Sequence, residues 1–489
     1  MSFLSIAFLM FVFSAFCLYY IAPYQLQWVV LLAASLLFYL MFDKRAAIFL
    51  LISTAAVFAA ALYVGGNGRF RKCVAALGAA VNIFLLAALK YHTFIEEVMP
   101  AGVIFSRFRT GVIERFSLVI PLGISFYTLS LLGYLADDYR KKYEPERNYL
   151  KFLLFACFFP HIMQGPIARY NQLADQFQQR HKPDYDRTMY AVQYMVWGYI
   201  KKMVIADRAG IFVDAVYGSY GTAGGTELLI ASIFYSIQIY ADFSGCVDIA
   251  AGTAKLFDID LMQNFRQPYL ASSIKDFWKR WHISLSSWYM EYVYFPIGGG
   301  YKGKLRRYVN IVVVFCISGL WHGAGWHYIV WGLLHGCYQI MEYLIRPLKK
   351  RTAAMLGIKD GSAVMRAVQT AATFLSVNFA WIFFRAGSVH EAIGIVASIF
   401  RYPSLWALTD GSLYGYGLSG NMFHVLLAWT AVLFFTDIMH ERGISIREKI
   451  AGQSLAVRWI IYYTAVFSVI ILGTYGMGYH ASDFIYMRF

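Results

Sequence analysis

The chain has 489 residues, 59% of them hydrophobic and only 15% charged, with a mean hydropathy of +0.51. A soluble protein carries about a quarter charged residues, so an ordinary soluble enzyme is excluded. The formal net charge of +15 lies in short basic clusters between apolar runs; such clusters suit inside loops and anionic lipid, and they give no support to nucleic acid as a partner.

Apolar runs recur at 3–22, 46–64, 74–89, 227–240, 423–436 and 457–474. A spanning helix needs about 20 mostly apolar residues, which predicts roughly ten to twelve spans. The expected fold is therefore an all-α polytopic membrane protein, read as a single membrane domain over 1–489. The first run lacks a basic leader and a small-residue cleavage site, so it is expected to stay as a helix. Lys44–Arg45 and Arg69–Lys72 flank 46–64. Either that run is a hairpin or partial insertion, or the smaller cluster lies outside. The six cysteines are scattered singly with no CxxC pair, so neither a disulfide framework nor a zinc site is expected.

Two stretches break the pattern of simple spans. Residues 136–190 mix charge, proline and aromatics around an apolar run at 152–159 that is too short to cross, and a re-entrant or interfacial segment fits better. Lys201–Lys202 reads as one of the basic loop clusters. Within 255–308, the stretch SIKDFWKRWHISLSSWYMEYVYFPIGGG at 273–300 places Trp278, Trp281, Leu285 and Trp288 on one arc of a helix. That predicts an interfacial helix with tryptophan towards the acyl region. It also puts His282 and Ser286 one turn apart at the edge of the two faces.

The stretch SGLWHGAGWHYIVWGLLHG at 318–336 holds three histidines, three tryptophans and five glycines. On a continuous helix His327 and His335 would point well away from His322, so a metal site on one helix is not expected. A lone histidine in an apolar helix is usually a hydrogen-bonded structural residue. Intramembrane ionisable groups nevertheless tend to face a protein interior or a wet cavity, and the glycines at 319, 323 and 325 allow close approach to His322. His322 is thus the candidate general base. Asp242, Asp248 and Asn378 read as interhelical hydrogen-bonding groups. No GxSxG, P-loop, HExxH or GxGxxG appears in a supporting context. From the residues alone, transporter and enzyme stay evenly balanced.

Several ordered segments resemble the membrane-bound O-acyltransferase family. They are PLGISFYTLSLLGYLADDYR at 121–140, FFPHIMQGPIARY at 158–170 and YADFSGCVDIAAGTAKLF at 240–257. NFRQPYLASSIKDFWKRWHISLSSW at 264–288, the 318–336 stretch and VNFAWIFFRAGS at 377–388 follow. The resemblance is to the bacterial branch, which includes alginate and peptidoglycan O-acetyltransferases and the D-alanyl transfer protein of teichoic acid. It marks 115–390 as the family core and 391–489 as a C-terminal transmembrane extension.

The resemblance implies a ring of tilted helices around a thinned centre. It places the family's catalytic histidine on His322 and the second histidine on His282, with Asp242, Asn264, Ser286, Trp281 and Trp321 as supporting or substrate-side residues. It implies acyl transfer from a cytoplasmic thioester, acetyl-CoA first and a carrier-protein thioester second, with no bound cofactor and no metal. The acceptor hydroxyl serves cell-surface polysaccharide, through an extracytoplasmic esterase-like partner, at a bacterial cytoplasmic membrane. The sequence departs from the branch at Met290–Glu291, Cys246 and Asp258–Ile259–Asp260, which touches donor or partner contacts and leaves both histidines in place. D-alanyl transfer, a lipid acyltransferase and a histidine-lined transporter are the competing readings.

Overall fold

The computed structural model describes residues 3–475 other than 43, 67, 99–106, 108–110, 112–119, 163, 302, 356, 358 and 360. Residues 115–119 of the expected family core and Lys302 of a basic cluster therefore lie outside the described residues. The described residues form helices and connecting turns, with no strand among them. The protein is all-α, as the hydropathy requires.

Seven of these helices are long and apolar enough to cross a membrane: Tyr24–Phe42, Ala47–Gly65, Arg71–Lys90, Gly225–Leu256, Ala363–Arg385, Gly420–Glu441 and Leu455–Leu472. Ile6–Ile21 is apolar but shorter. The expected ten to twelve spans are not reached by this measure, because the other apolar runs are cut into shorter or more charged helices. Ala47–Gly65 is one uninterrupted helix, so the hairpin reading of 46–64 is wrong, and the two basic clusters stand at opposite ends of it.

The chain divides into two compact units. Met1–Met195 with Val247–Gln263 form the first. There the Ala47–Gly65 helix packs on Arg71–Lys90 and Ile124–Tyr139, and the Asn82 amide donates to the Ser53 carbonyl between two of them. The apolar run 152–159 lies in a nine-residue helix, Tyr149–Cys157, followed by the single turn Phe159–Ile162. Nine residues rise only about 14 Å, and every residue from Phe152 to Phe159 is buried. The run is too short to cross, as expected, and it is buried within its own unit. An aromatic knot of Tyr134, Phe152, Phe155 and Tyr170 holds it.

Val196–Cys246 with Asn264–Phe489 form the second unit, and it carries both candidate histidines. The long helix Gly225–Leu256 starts here and is tied to two others by polar side chains. Asn378 donates to the Ser232 carbonyl at 2.7 Å and the Ser236 hydroxyl at 2.8 Å, and accepts from the Ser232 hydroxyl at 3.1 Å. The Tyr240 hydroxyl donates to Asp437 at 2.9 Å. Asn378 thus has the interhelical role expected of it. Lys304–His322 and Trp326–Met355 pack extensively on each other. A side chain at Gly319 or Gly332 would run into the facing backbone, Tyr328 and Phe315 respectively, so these glycines set the approach distance.

Candidate active site

The segment carrying His282 is held at both ends. Ile274–Arg280 is a short helix whose first free amides are satisfied from outside. Ser273 Oγ accepts the Asp276 N–H at 3.0 Å, and the Glu342 carboxylate accepts from the Ile274 and Lys275 amides at 2.8 and 3.4 Å. At its other end Arg280 makes two bonds to Glu441, at 2.6 and 3.0 Å, and one to Asp276 at 3.0 Å.

The helix then breaks. His282 has φ 44° and ψ 55°, and a new helix runs from Ile283 to Tyr289. The expected continuous interfacial helix is therefore two helices with a left-handed residue between them. The left-handed region costs a non-glycine residue about 1–2 kcal/mol, and such strain persists only where surrounding contacts over-determine it. Those contacts come from 264–266: the Asn264 carbonyl accepts the Ile283 N–H at 2.9 Å, and the Arg266 N–H donates to the Arg280 carbonyl at 2.9 Å. The tryptophans also depart from expectation. Trp281 and Trp288 are buried in the protein with Leu285, where Trp281 stacks on Phe277 and meets Trp381.

Asn264 fixes the protonation of His282. Its side-chain oxygen accepts the Ser284 backbone N–H at 3.0 Å and the Ser284 hydroxyl at 2.8 Å, and a backbone N–H can only donate, so the amide cannot be flipped. His282 Nδ1 lies 3.3 Å from that same oxygen, which makes Nδ1 the donor. In the neutral ring the other nitrogen, Nε2, then carries a lone pair. Ser286 is not part of this arrangement, because its hydroxyl turns back to the Trp281 carbonyl at 3.2 Å. Ser284 takes the place expected for it.

His322 ends the Lys304–His322 helix, and Gly323 leaves it in an extended conformation. The helix does not continue through 323–325, so the angular separation of the histidines expected from a continuous helix does not hold. Trp331 meets His322 at 5.0 Å on one side and His335 at 5.1 Å on another, both edge to face. Trp321 touches both candidate histidines, with ring centroids 6.0 Å from His282 and 4.9 Å from His322. Phe384 closes on His322 and Phe243 on His282. His282 and His322 are 1% and 2% exposed. The arrangement sets two buried imidazoles in an aromatic enclosure that keeps water from competing. Among the described residues no group of three His, Cys, Asp or Glu side chains is placed to hold a metal.

Asp242 stands one residue from the His282 contact at Phe243 and is committed to a cation. Lys202 bridges Asp242 and Asp207, each at 2.7 Å, with all three side chains buried. Lys201 donates to Ser244 at 3.0 Å. Both lysines lie in a π-helical stretch, Ile200–Ala206, and are buried. Their reading as a loop cluster at the membrane surface is corrected: Lys202 joins Asp207 and Asp242 in an internal ion cluster, and Lys201 is hydrogen-bonded inside the protein. The one cue was that 199–209 contains no glycine or proline to make a loop.

A model of the membrane-bound O-acyltransferase family matches residues 146–360, which include both histidines. A probable alginate O-acetylase of Pseudomonas syringae is 31% identical over 89% of this chain and 81% of its own length. The chain belongs to the membrane-bound O-acyltransferase family. A peptidoglycan O-acetyltransferase of Helicobacter pylori is 32% identical over 76% of this chain and 72% of its own. A teichoic acid D-alanyltransferase of Bacillus subtilis is 28% identical over 56% and 70%. The protein is thus a multi-pass membrane O-acyltransferase, and the transporter reading falls. The matched segment contains both His282 and His322, which this chain brings into ring contact with Trp321.

Proposed function

We propose that the protein moves an acetyl group from a cytoplasmic thioester, acetyl-CoA, across a bacterial cytoplasmic membrane to a hydroxyl acceptor, for O-acetylation of a cell-surface polysaccharide. The observation that carries this reading is the buried pair His282 and His322, both in ring contact with Trp321. The acetylating relatives match more of the chain than the D-alanyl relative does, which favours acetyl over D-alanyl.

In this reading the His322 imidazole removes the proton from the attacking hydroxyl, directly or through water. The oxygen adds to the thioester carbonyl, the carbon–sulfur bond breaks, and the departing thiolate takes the proton back from the imidazolium. His282, with a lone pair on Nε2 fixed by Asn264, holds the acceptor through a neighbouring O–H or N–H. That tautomer suits acceptance and not donation to an oxyanion. An extracytoplasmic esterase-like partner receives the group or completes its transfer to the polymer.

The test is the acetyl ester content of surface polysaccharide in cells lacking the gene, complemented with wild type or His322→Ala at equal membrane levels. Restoration by wild type alone is expected. Full restoration by the alanine variant would remove His322 from the chemistry.

A further inference from the structure

The mechanism above names a base and a group that holds the acceptor, but nothing yet meets the charge that develops on the carbonyl oxygen. Two buried donors fit that need, one on the ring that meets His322 and one on the ring next to it. His335 is fully buried, and its Nδ1 lies 3.3 Å from the indole nitrogen of Trp278. An indole N–H only donates, so Nδ1 is the bare nitrogen and the neutral ring carries its proton on Nε2. That is the reverse of the His282 tautomer. Among the described residues His335 Nε2 meets no acceptor, and neither does the indole nitrogen of Trp331, which is 1% exposed.

The two groups belong together. Trp331 and His335 are one turn apart on the Trp326–Met355 helix and so share a face, with ring centroids 5.1 Å apart at 73°. Trp331 is also the ring that meets His322 at 5.0 Å. The other rings around the pair are Phe277, Trp278, Phe315, Tyr338, Trp381 and Phe384; of these only the Tyr338 hydroxyl is a strong acceptor, and it bonds to neither donor. A buried donor left unmade costs about 1–3 kcal/mol, so two in adjacent turns beside a catalytic base call for a ligand oxygen. These ring contacts bring no cation, which fits a carbonyl better than a phosphate.

We propose that Trp331 Nε1–H and His335 Nε2–H receive the carbonyl oxygen of the acyl thioester beside His322 and hold it as it becomes an oxyanion. The assignment rests on the acyl-transfer reading above. Donors preset for the developing charge act on the transition state more than on binding.

The experiment uses membrane vesicles from cells that make the polymer, supplied with acetyl-CoA labelled in the acetyl group. The full-length protein is compared with Trp331→Phe, His335→Asn and His335→Gln at equal membrane levels. Trp331→Phe keeps the ring and loses the N–H. His335→Asn keeps an acceptor for Trp278 and loses the distal donor, whereas His335→Gln keeps a distal donor. Trp331→Phe and His335→Asn are expected to lower kcat by about 10²–10³-fold, with KM for acetyl-CoA within about twofold of wild type and His335→Gln clearly more active than His335→Asn. Wild-type kcat in Trp331→Phe would overturn the assignment, as would equal losses in both His335 variants that track a fall in thermal midpoint. If wild type itself transfers no label, the acyl-transfer reading fails and takes this assignment with it.

Discussion

Two polar clusters are buried in the second unit, and they are built to different ends. In one, Lys202 sits between Asp207 and Asp242, so a buried ammonium is paired with carboxylates inside the protein. In the other, the tautomers of His282 and His335 are set by Asn264 and Trp278, and the second nitrogen of each ring is given a defined role, lone pair on one and proton on the other. The long helix Gly225–Leu256 serves both through successive residues: Asp242 to Lys202, Phe243 to His282 and Ser244 to Lys201. Buried polarity alone therefore does not mark a site. Whether the ion pairing serves structure and the oriented imidazoles serve chemistry is what variants in the two clusters can separate.

The contrast can be broken at several points. His322→Ala should have the largest effect, lowering acyl transfer by about 10²–10⁴-fold while shifting the thermal midpoint in detergent less than a lesion in the ion cluster does. Lys202→Met should do the opposite. It leaves two buried carboxylates facing each other and costs about 3–5 kcal/mol, read as a lower midpoint and lower membrane levels, with transfer per folded molecule retained. Combining it with Asp207→Asn and Asp242→Asn should recover most of that loss; no recovery would mean the cluster is not a closed electrostatic unit. Asn264→Ala releases the His282 tautomer and one clamp on the left-handed turn, and should lower transfer roughly tenfold, the worth of about one hydrogen bond. Ser286→Ala should change stability by no more than about 0.5 kcal/mol and leave acetylation intact, with Ser284→Ala the more damaging of the two. The reverse order would reinstate Ser286.

Much of this was legible in the residues. Hydropathy alone fixed the membrane class, and the SGLWHG and WHISLS stretches pointed to His322 and His282. The turn that positions His282 was not legible, because the left-handed residue is a histidine with no glycine, proline or asparagine beside it to signal a break. Helical periodicity ran straight through WKRWHISLS, which sent the tryptophans towards lipid and chose Ser286 over Ser284. Likewise the positions of His322 and His335 around Trp331 depend on the helix stopping at Gly323, so angles counted along a continuous helix misplaced them. Lys201–Lys202 failed for another reason. The rule that basic pairs lie in loops cannot see carboxylates that arrive from positions 207 and 242.

The clasp between Arg280 and Glu441 bears on how far this chain can be shortened. Every family motif ends by residue 388, which makes 391–489 look removable for crystallisation or for transplanting the catalytic core into another scaffold. Yet Glu441 anchors the segment that presents His282, and Asp437 receives the hydroxyl of Tyr240 on the helix that presents Phe243. A minimal version would have to keep the Gly420–Glu441 helix, or supply two acidic groups in its place, before the motifs upstream could take up their geometry.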